Sequence, residues 1–284
     1  MITLRALLAI AALAAAGCTP LALGTLNVPA RFFGNYELVS DLAYGGAERH
    51  RLDVYTPAEV GRPLPVIVFF HGGHWRSGDK ARYRFAADAL VAQGYAVVVP
   101  NYRLWPEVGF PGFVEDGAAA VAWVHANIAD YGGDADELFL MGHSAGAHIA
   151  ALIALDPRYL QAAGGSERWI DGMIGLAGPY ERLAEEVFGA PSALSAARPV
   201  NFVHPGQPPL LLLHGRDDET VPVRNSVRLA TAAREAGART EFYVYDGIGH
   251  VGILTALARP FRGRAPVIDE VDRFIRGRLA GSRP

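Results

Sequence analysis

Four short stretches carry residues whose types and spacing could do chemistry together. In "LFLMGHSAGAHIAALIAL", Ser144 stands between Gly142 and Gly146, after the apolar run Leu138–Met141 and before an Ala/Leu/Ile-rich stretch without Gly or Pro inside. A strand can turn into a helix within one residue only through a sharp, strained bend with small neighbours, which pushes the apex side chain outward. A serine hydroxyl presented this way becomes a useful nucleophile once a neighbouring base takes its proton. "YVYDGIGHVG" offers His250 as that base, and "LLLLHGRDDETVP" offers Asp217 and Asp218 as carboxylates to orient the imidazole. "FFHGGHW" puts adjacent glycines, Gly72 and Gly73, after an apolar run, where backbone N–H groups can bind a developing oxyanion.

Each stretch alone has a plainer reading: a Gly-rich turn, a chance G-x-S-x-G, surface aspartates capping a helix, a solvated loop histidine. Their joint order decides against those readings. Oxyanion glycines, Ser, Asp and His each follow a separate apolar run, and the carboxyl ends of strands are where an open parallel sheet collects its functional groups.

The elements that must position them alternate along the chain. "NYELVSDLAY" and "RHRLDVYTP" read as a hairpin with Gly45-Gly46 near its turn. "LPVIVFFHGG", "YAVVVPNY", "IDGMIGLAG", "PPLLLLHG" and "TEFYVYDG" read as strands. "ARYRFAADALVAQG", "GFVEDGAAAVAWVHANIADYGG", "RNSVRLATAAREAG" and "PVIDEVDRFIRGRL" read as helices, the second closed by Gly132-Gly133. This alternation predicts an α/β fold with a mostly parallel central sheet and helices on both faces. Residues 179–208 break it with irregular Pro and Ala content, and a short cap over the sheet is expected there.

The chain has 284 residues, 51% hydrophobic and 19% charged, with a formal net charge of −3. That is enough chain for one large core, and without a basic cluster nucleic acid is not expected as a partner. One cysteine, Cys18, excludes an internal disulfide framework. The start, Arg5 followed by "ALLAIAALAAAG" and Cys18, reads as a secretory signal over residues 1–17, too short to span a bilayer. The ending "AAAGC" resembles the lipobox of bacterial lipoproteins, with Ala15 where leucine is usual. That resemblance implies a lipid anchor on Cys18, a tether over residues 18–33, membrane contact and location in the bacterial cell envelope. The catalytic domain is then expected over residues 34–284.

Over roughly Leu38 to Leu279 the chain resembles an α/β-hydrolase of the hormone-sensitive-lipase-like esterase group. Besides the serine motif, "NYRLWPEVGFPGFVEDGAAAVAWV" is similar to that group's Tyr-Arg-Leu-x-Pro-Glu segment and the helix after it. The chain departs from the group's His-Gly-Gly-Gly at His74. The resulting His-Gly-Gly-x-Trp form also resembles the kynurenine formamidase and prenylcysteine methylesterase branches. The resemblance implies a triad of Ser144, Asp218 and His250. The group's His-Gly-x-x-Asp-x-x-Val-Pro spacing from His214 points to Asp218, with Asp217 in reserve. It also implies oxyanion donors at Gly73, His74 and Ala145, with His71 shaping the loop. Trp75 and His143 are candidates for the substrate pocket, and His148 is read as structural. The many histidines, His204 among them, follow the strand-end motifs without a ligand pattern, so no metal and no cofactor are expected.

The expected function is a carboxylic-ester hydrolase acting on small-molecule esters of short to medium acyl length. A formamidase-type amide hydrolase is the alternative within catalysis, and a non-catalytic binding protein on the same scaffold is the alternative outside it.

Overall fold

The computed structural model describes residues 19–59, 61–189 and 191–282. The signal segment and Cys18 lie outside the described residues. In chain order the strands are β1 (Tyr36–Ala43), β2 (Arg51–Pro57), β3 (Leu64–Phe70), β4 (Ala96–Pro100), β5 (Gly133–His143), β6 (Ile170–Leu176), β7 (Leu210–Gly215) and β8 (Thr240–Tyr245). The helices are α1 (Thr19–Phe33), α2 (Arg84–Val91), α3 (Gly112–Asn127), α4 (Ala145–Leu155), α5 (Pro157–Ala162), α6 (Glu185–Phe188), α7 (Pro191–Ala197), α8 (Arg224–Glu235), α9 (His250–Thr255) and α10 (Val267–Ser282).

The eight strands form one sheet in the order β1-β2-β4-β3-β5-β6-β7-β8. The β1–β2 and β2–β4 pairs are antiparallel, and every pair from β4 through β3 to β8 is parallel. Strands β3 and β4 are apolar without a break because both of their faces are covered. Along β3, Val66, Val68 and Phe70 enter one core with α3 and α4, while Ile67 and Phe69 enter the other with α1, α2 and α10. The period of two divides the strand between two cores. Helix α4 is buried at every position, as its uniformly apolar sequence demands.

Two boundaries differ from the sequence pattern. Helix α3 stops at Asn127 and passes into a 3₁₀ turn over Ile128–Tyr131, and Gly132 ends that turn in the left-handed region at φ 80°. Residues 18–33, expected as a tether, contain helix α1 from Thr19, with Leu23 and Leu26 in the α2 core and Ala30 buried as well. The irregular segment 179–208 holds α6, α7 and a 3₁₀ turn, and buries Val187, Phe188, Leu194 and Ala197 in the opposite core. Among the described residues no helix is long and apolar enough to cross a membrane.

Candidate active site

Ser144 sits at the junction of β5 and α4 with φ 55° and ψ −121°, a conformation that non-glycine residues rarely hold. Two glycines make the bend possible. A Cβ at Gly142 would collide with the Gly146 backbone, and one at Gly146 would collide with the Phe70 carbonyl oxygen. The Ser144 N–H donates to the Leu176 carbonyl at 2.9 Å, tying the apex to β6.

His250 opens α9 just after β8. Its Nε2 lies 2.9 Å from Ser144 Oγ, and its Nδ1 lies 2.7 Å from Asp218 Oδ2. A carboxylate only accepts, so Nδ1 carries the proton and Nε2 offers its lone pair to the serine hydroxyl. Asp218 is fully engaged. Oδ1 accepts from the Thr220 and Val221 amides at 2.9 and 2.7 Å, and His214 Nε2 lies 3.2 Å from Oδ2. Burial alone would raise the Asp218 pKa. The hydrogen bonds from His214 and His250 outweigh it and hold the carboxyl well below the usual carboxylate range. Asp217, by contrast, is solvent-exposed.

His214 is entirely buried and completes the support. Its Nε2 faces only acceptors, the Val221 carbonyl at 2.8 Å and Asp218, so it holds the proton; Nδ1 then accepts from the Ser226 hydroxyl at 2.7 Å. The sequence motif located this histidine, but nothing local showed that its ring turns onto the acid.

The glycine loop approaches from β3. Gly73, His74 and Trp75 take φ values of 134°, 55° and 58°, and the Gly73 carbonyl closes the loop by accepting from the Arg76 and Ser77 amides, both at 3.0 Å. A Cβ at Gly72 would lie 3.3 Å from Ser144 Cβ, so the loop backbone lies against the nucleophile. Behind it, the His71 carbonyl accepts from the Tyr102 hydroxyl at 2.8 Å and the two rings stack at 4.4 Å. Burial pushes His71 down to about 4 and keeps it neutral. The Ala145 amide, first of α4, has no acceptor within its own helix. His74 is exposed at the cavity wall, and partial burial, with His250 and Arg76 nearby, lowers its pKa.

The cavity above Ser144 has a volume of about 220 Å³, and its apolar walls come from Leu23, Tyr83, Val251 and Leu254. His143 also lines it, donating Nε2–H to the His250 carbonyl at 2.9 Å; burial and the neighbouring His250 ring push its pKa down to about 3. Trp75 does not line it. Its ring is buried edge-on to His148 at 5.1 Å and Phe188 at 4.7 Å, on the side of segment 179–208. No residue of that segment borders the cavity either. His148 is buried and donates Nε2–H to the Ala197 carbonyl at 2.7 Å, a structural contact; burial lowers its pKa to about 4. Leu23 and Tyr83 carry no sequence signal for a pocket, since both look like ordinary core residues. Among the described residues no group of three His, Cys, Asp or Glu is placed to hold a metal ion.

Ser144, His250 and Asp218 thus meet from three strand ends, under a glycine loop from a fourth. The model of the prolyl oligopeptidase family matches residues 114–265, more than half of the chain, and the BD-FAE model matches residues 52–168. The chain belongs to the prolyl oligopeptidase family, among the α/β-hydrolases. The relatives it matches are named esterases and methylesterases. It is 32% identical over 270 residues to esterase LipQ of Mycobacterium tuberculosis, covering 86% of this chain and 64% of that one. It is 29% identical over 287 residues to a probable isoprenylcysteine alpha-carbonyl methylesterase of Oryza sativa, covering 92% and 69%. The chain thus spans 56–69% of the length of the curated relatives it matches. The fold is shared with esterase B from Lactobacillus rhamnosis, at a TM-score of 0.80, 21% identity and 97% of both chains. It is also shared with Thermogutta terrifontis esterase 2, at 0.72, 24% identity, 86% of this chain and 94% of that one.

Proposed function

We propose that this α/β-hydrolase is a serine carboxylesterase that cleaves small esters of short to medium acyl length through an acyl-enzyme on Ser144. The observation that carries the reading is the continuous hydrogen-bonded line Ser144–His250–Asp218, at 2.9 and 2.7 Å. As Ser144 Oγ attacks the ester carbonyl carbon, His250 Nε2 takes its proton, and Asp218 stabilises the resulting imidazolium. The amides of Ala145, Gly73 and His74 hold the oxyanion, each worth about 3 kcal/mol in the transition state. His250 then gives its proton to the departing alkoxide. A water, deprotonated by the same imidazole, attacks the acyl-serine and releases the acid.

Acyl length follows from space. A cavity of about 220 Å³ is below the usual range of ligand pockets, roughly 300–1,000 Å³. Each buried methylene adds about 0.8 kcal/mol only while there is room for it, so preference rises over the first few carbons and then falls.

A fluorophosphonate probe and a panel of p-nitrophenyl esters of rising acyl length, run beside N-formylkynurenine, test the reading. Labelling of Ser144 with best turnover on short to medium esters is expected. Absence of labelling would leave a non-catalytic binding protein, and formamide turnover far above every ester would move the activity to amide hydrolysis. From the leader sequence we propose in addition a lipid on Cys18 and residence in a bacterial envelope. Detergent partitioning that Cys18→Ser abolishes is the expected result, and a free Cys18 thiol in soluble enzyme refutes it.

A further inference from the structure

Helix α1 is apolar on both sides. Leu23, Leu26 and Ala30 point inward and are buried, whereas Val28 and Phe32, one turn apart on the outer side, are 48% and 77% exposed, with Phe33 beside them at 66%. An ordinary surface helix is polar on its outer face. Three of the five exposed large apolar side chains among the described residues fall within these six consecutive positions. The same helix supplies a wall of the catalytic cavity through Leu23. Along the axis Leu23 lies about 7.5 Å from Val28 and about 13.5 and 15 Å from Phe32 and Phe33, so cavity wall and exposed face belong to one rod.

Three features indicate what covers this face. The lipid proposed on Cys18 would sit one residue ahead of Thr19, where α1 begins, so anchor and helix meet without a spacer. Arg31 is exposed in the last turn of the helix, next to the phenylalanines. This puts a basic group at the end of the helix that carries them, as phosphate headgroups favour. Finally, the three side chains expose roughly 400 Å² together, about half of the ~800 Å² per partner that a stable dimer needs.

We propose that the outer face of α1 docks on a lipid surface and that the ester enters the cavity from that surface past Leu23. The substrate class is an ester whose short acyl group fits the cavity while the apolar tail of its alcohol stays in the lipid. The proposal rests on the esterase reading above. A helix buried 5–10 Å at the headgroup boundary brings the Leu23 wall of the cavity within about one helix width of that boundary.

The test uses the full chain and its double variant Phe32→Ser/Phe33→Ser with two acetates. One is p-nitrophenyl acetate in solution; the other is the acetate of a pyrenyl-dodecanol held in phosphatidylcholine–phosphatidylglycerol vesicles. Both forms keep the leader, so any recruitment by it is common to the two. The variant should hydrolyse the dissolved acetate at the parent rate and the vesicle-held acetate about tenfold more slowly or worse. Equal parent and variant rates on vesicles would overturn the proposal, as expected if the leader itself covers the face or recruits alone. A matching fall on both acetates would overturn it too, because the face would then serve the fold. A parent dimer that the double variant turns into a monomer in sedimentation would assign the face to a second copy. A parent inactive on the dissolved acetate would instead sink the esterase reading, and this proposal with it.

Discussion

Segment 179–208 and helix α1 pack into opposite cores of one sheet, and of the two only α1 reaches the cavity above Ser144. The segment is rich in turns, yet Phe188 fixes it: the ring packs edge-on against Trp75, Phe113 and His148. Helix α1 is seated by Leu23 and Leu26 on the α2 side and by Asn27, which donates to the Ala81 carbonyl and accepts from the Phe85 amide, and it is the element that reaches the cavity beside Ser144. The irregular segment therefore acts as a wedge that supports the glycine loop from behind through Trp75, and the regular helix acts as the wall. Irregular sequence is a poor guide to which segment covers a site. What matters is the face on which its apolar side chains find partners.

The comparison needs a reference chemistry that neither region touches. Ser144→Ala removes only the attacking oxygen and should lower ester turnover on the order of 10⁶-fold in a folded protein. Substantial turnover by the purified variant would show that the cavity between loop and α1 is not where the reaction happens. Asp218→Asn should cost on the order of 10⁴-fold in kcat, because the amide no longer holds His250 in the right tautomer; Asp217→Asn, at an exposed carboxylate, should be mild. The reverse ranking, read from kinetics on one aryl ester, would exchange their roles.

Phe188→Ala tests the wedge directly. It should destabilise the fold by about 3–5 kcal/mol, the usual cost of emptying a buried aromatic site, and leave the acyl-length profile unchanged. Denaturant melts and the ester panel measure both, and a changed profile with little loss of stability would make the segment a pocket wall after all.

Acid should separate the two regions next. His148, tied to Ala197, is held neutral in the fold with its pKa near 4, while in the unfolded chain it takes a proton below about 6.5. The unfolded state therefore binds the extra proton in this window. Stability from this group is complete above 6.5 and declines by up to about 3 kcal/mol as pH falls to 4. His71 and His143, similarly depressed, add to the slope. Hydrogen exchange at pH 5 should open the contacts around Ala197 ahead of α1, which carries no histidine, and His148→Gln should flatten the pH dependence of Tm. A wild-type slope in that variant would remove His148 from the account.

The smallest effect falls on the wall. Leu23→Trp should narrow the cavity and reduce turnover of hexanoate relative to acetate by about tenfold, within the range of one or two methylenes of lost room. An unaltered ratio would place the acyl group elsewhere.

Much of the site is legible along the chain because its requirements are local. The bend at Ser144 needs glycines two residues to each side, and a buried strand writes itself as an apolar run whatever its neighbours are. Trp75 is where that legibility stops. As the residue after the glycine loop it reads as a pocket wall, but with the backbone at φ 58° its ring turns away from the cavity into the aromatic cluster around Phe188. Nothing within ten residues encodes that choice. The segment read as a tether shows a similar limit. Leu23, Leu26 and Ala30 have helical spacing, but Val28, Phe32 and Phe33 put apolar residues outside that stripe, and only packing selects the inner side.

By itself the sequence determined the α/β alternation, the bend that carries Ser144 and the strand ends at which Ser144, Asp218 and His250 arrive, because backbone sterics and strand periodicity act over a few residues. The tertiary structure alone decided that Asp218 is gripped by both His214 and His250, that Trp75 backs the loop, and that Leu23 closes the cavity. Those relations join residues that lie far apart in the chain. Their distances are set by strand order in the sheet and by which of two faces each helix buries, and no local pattern records either.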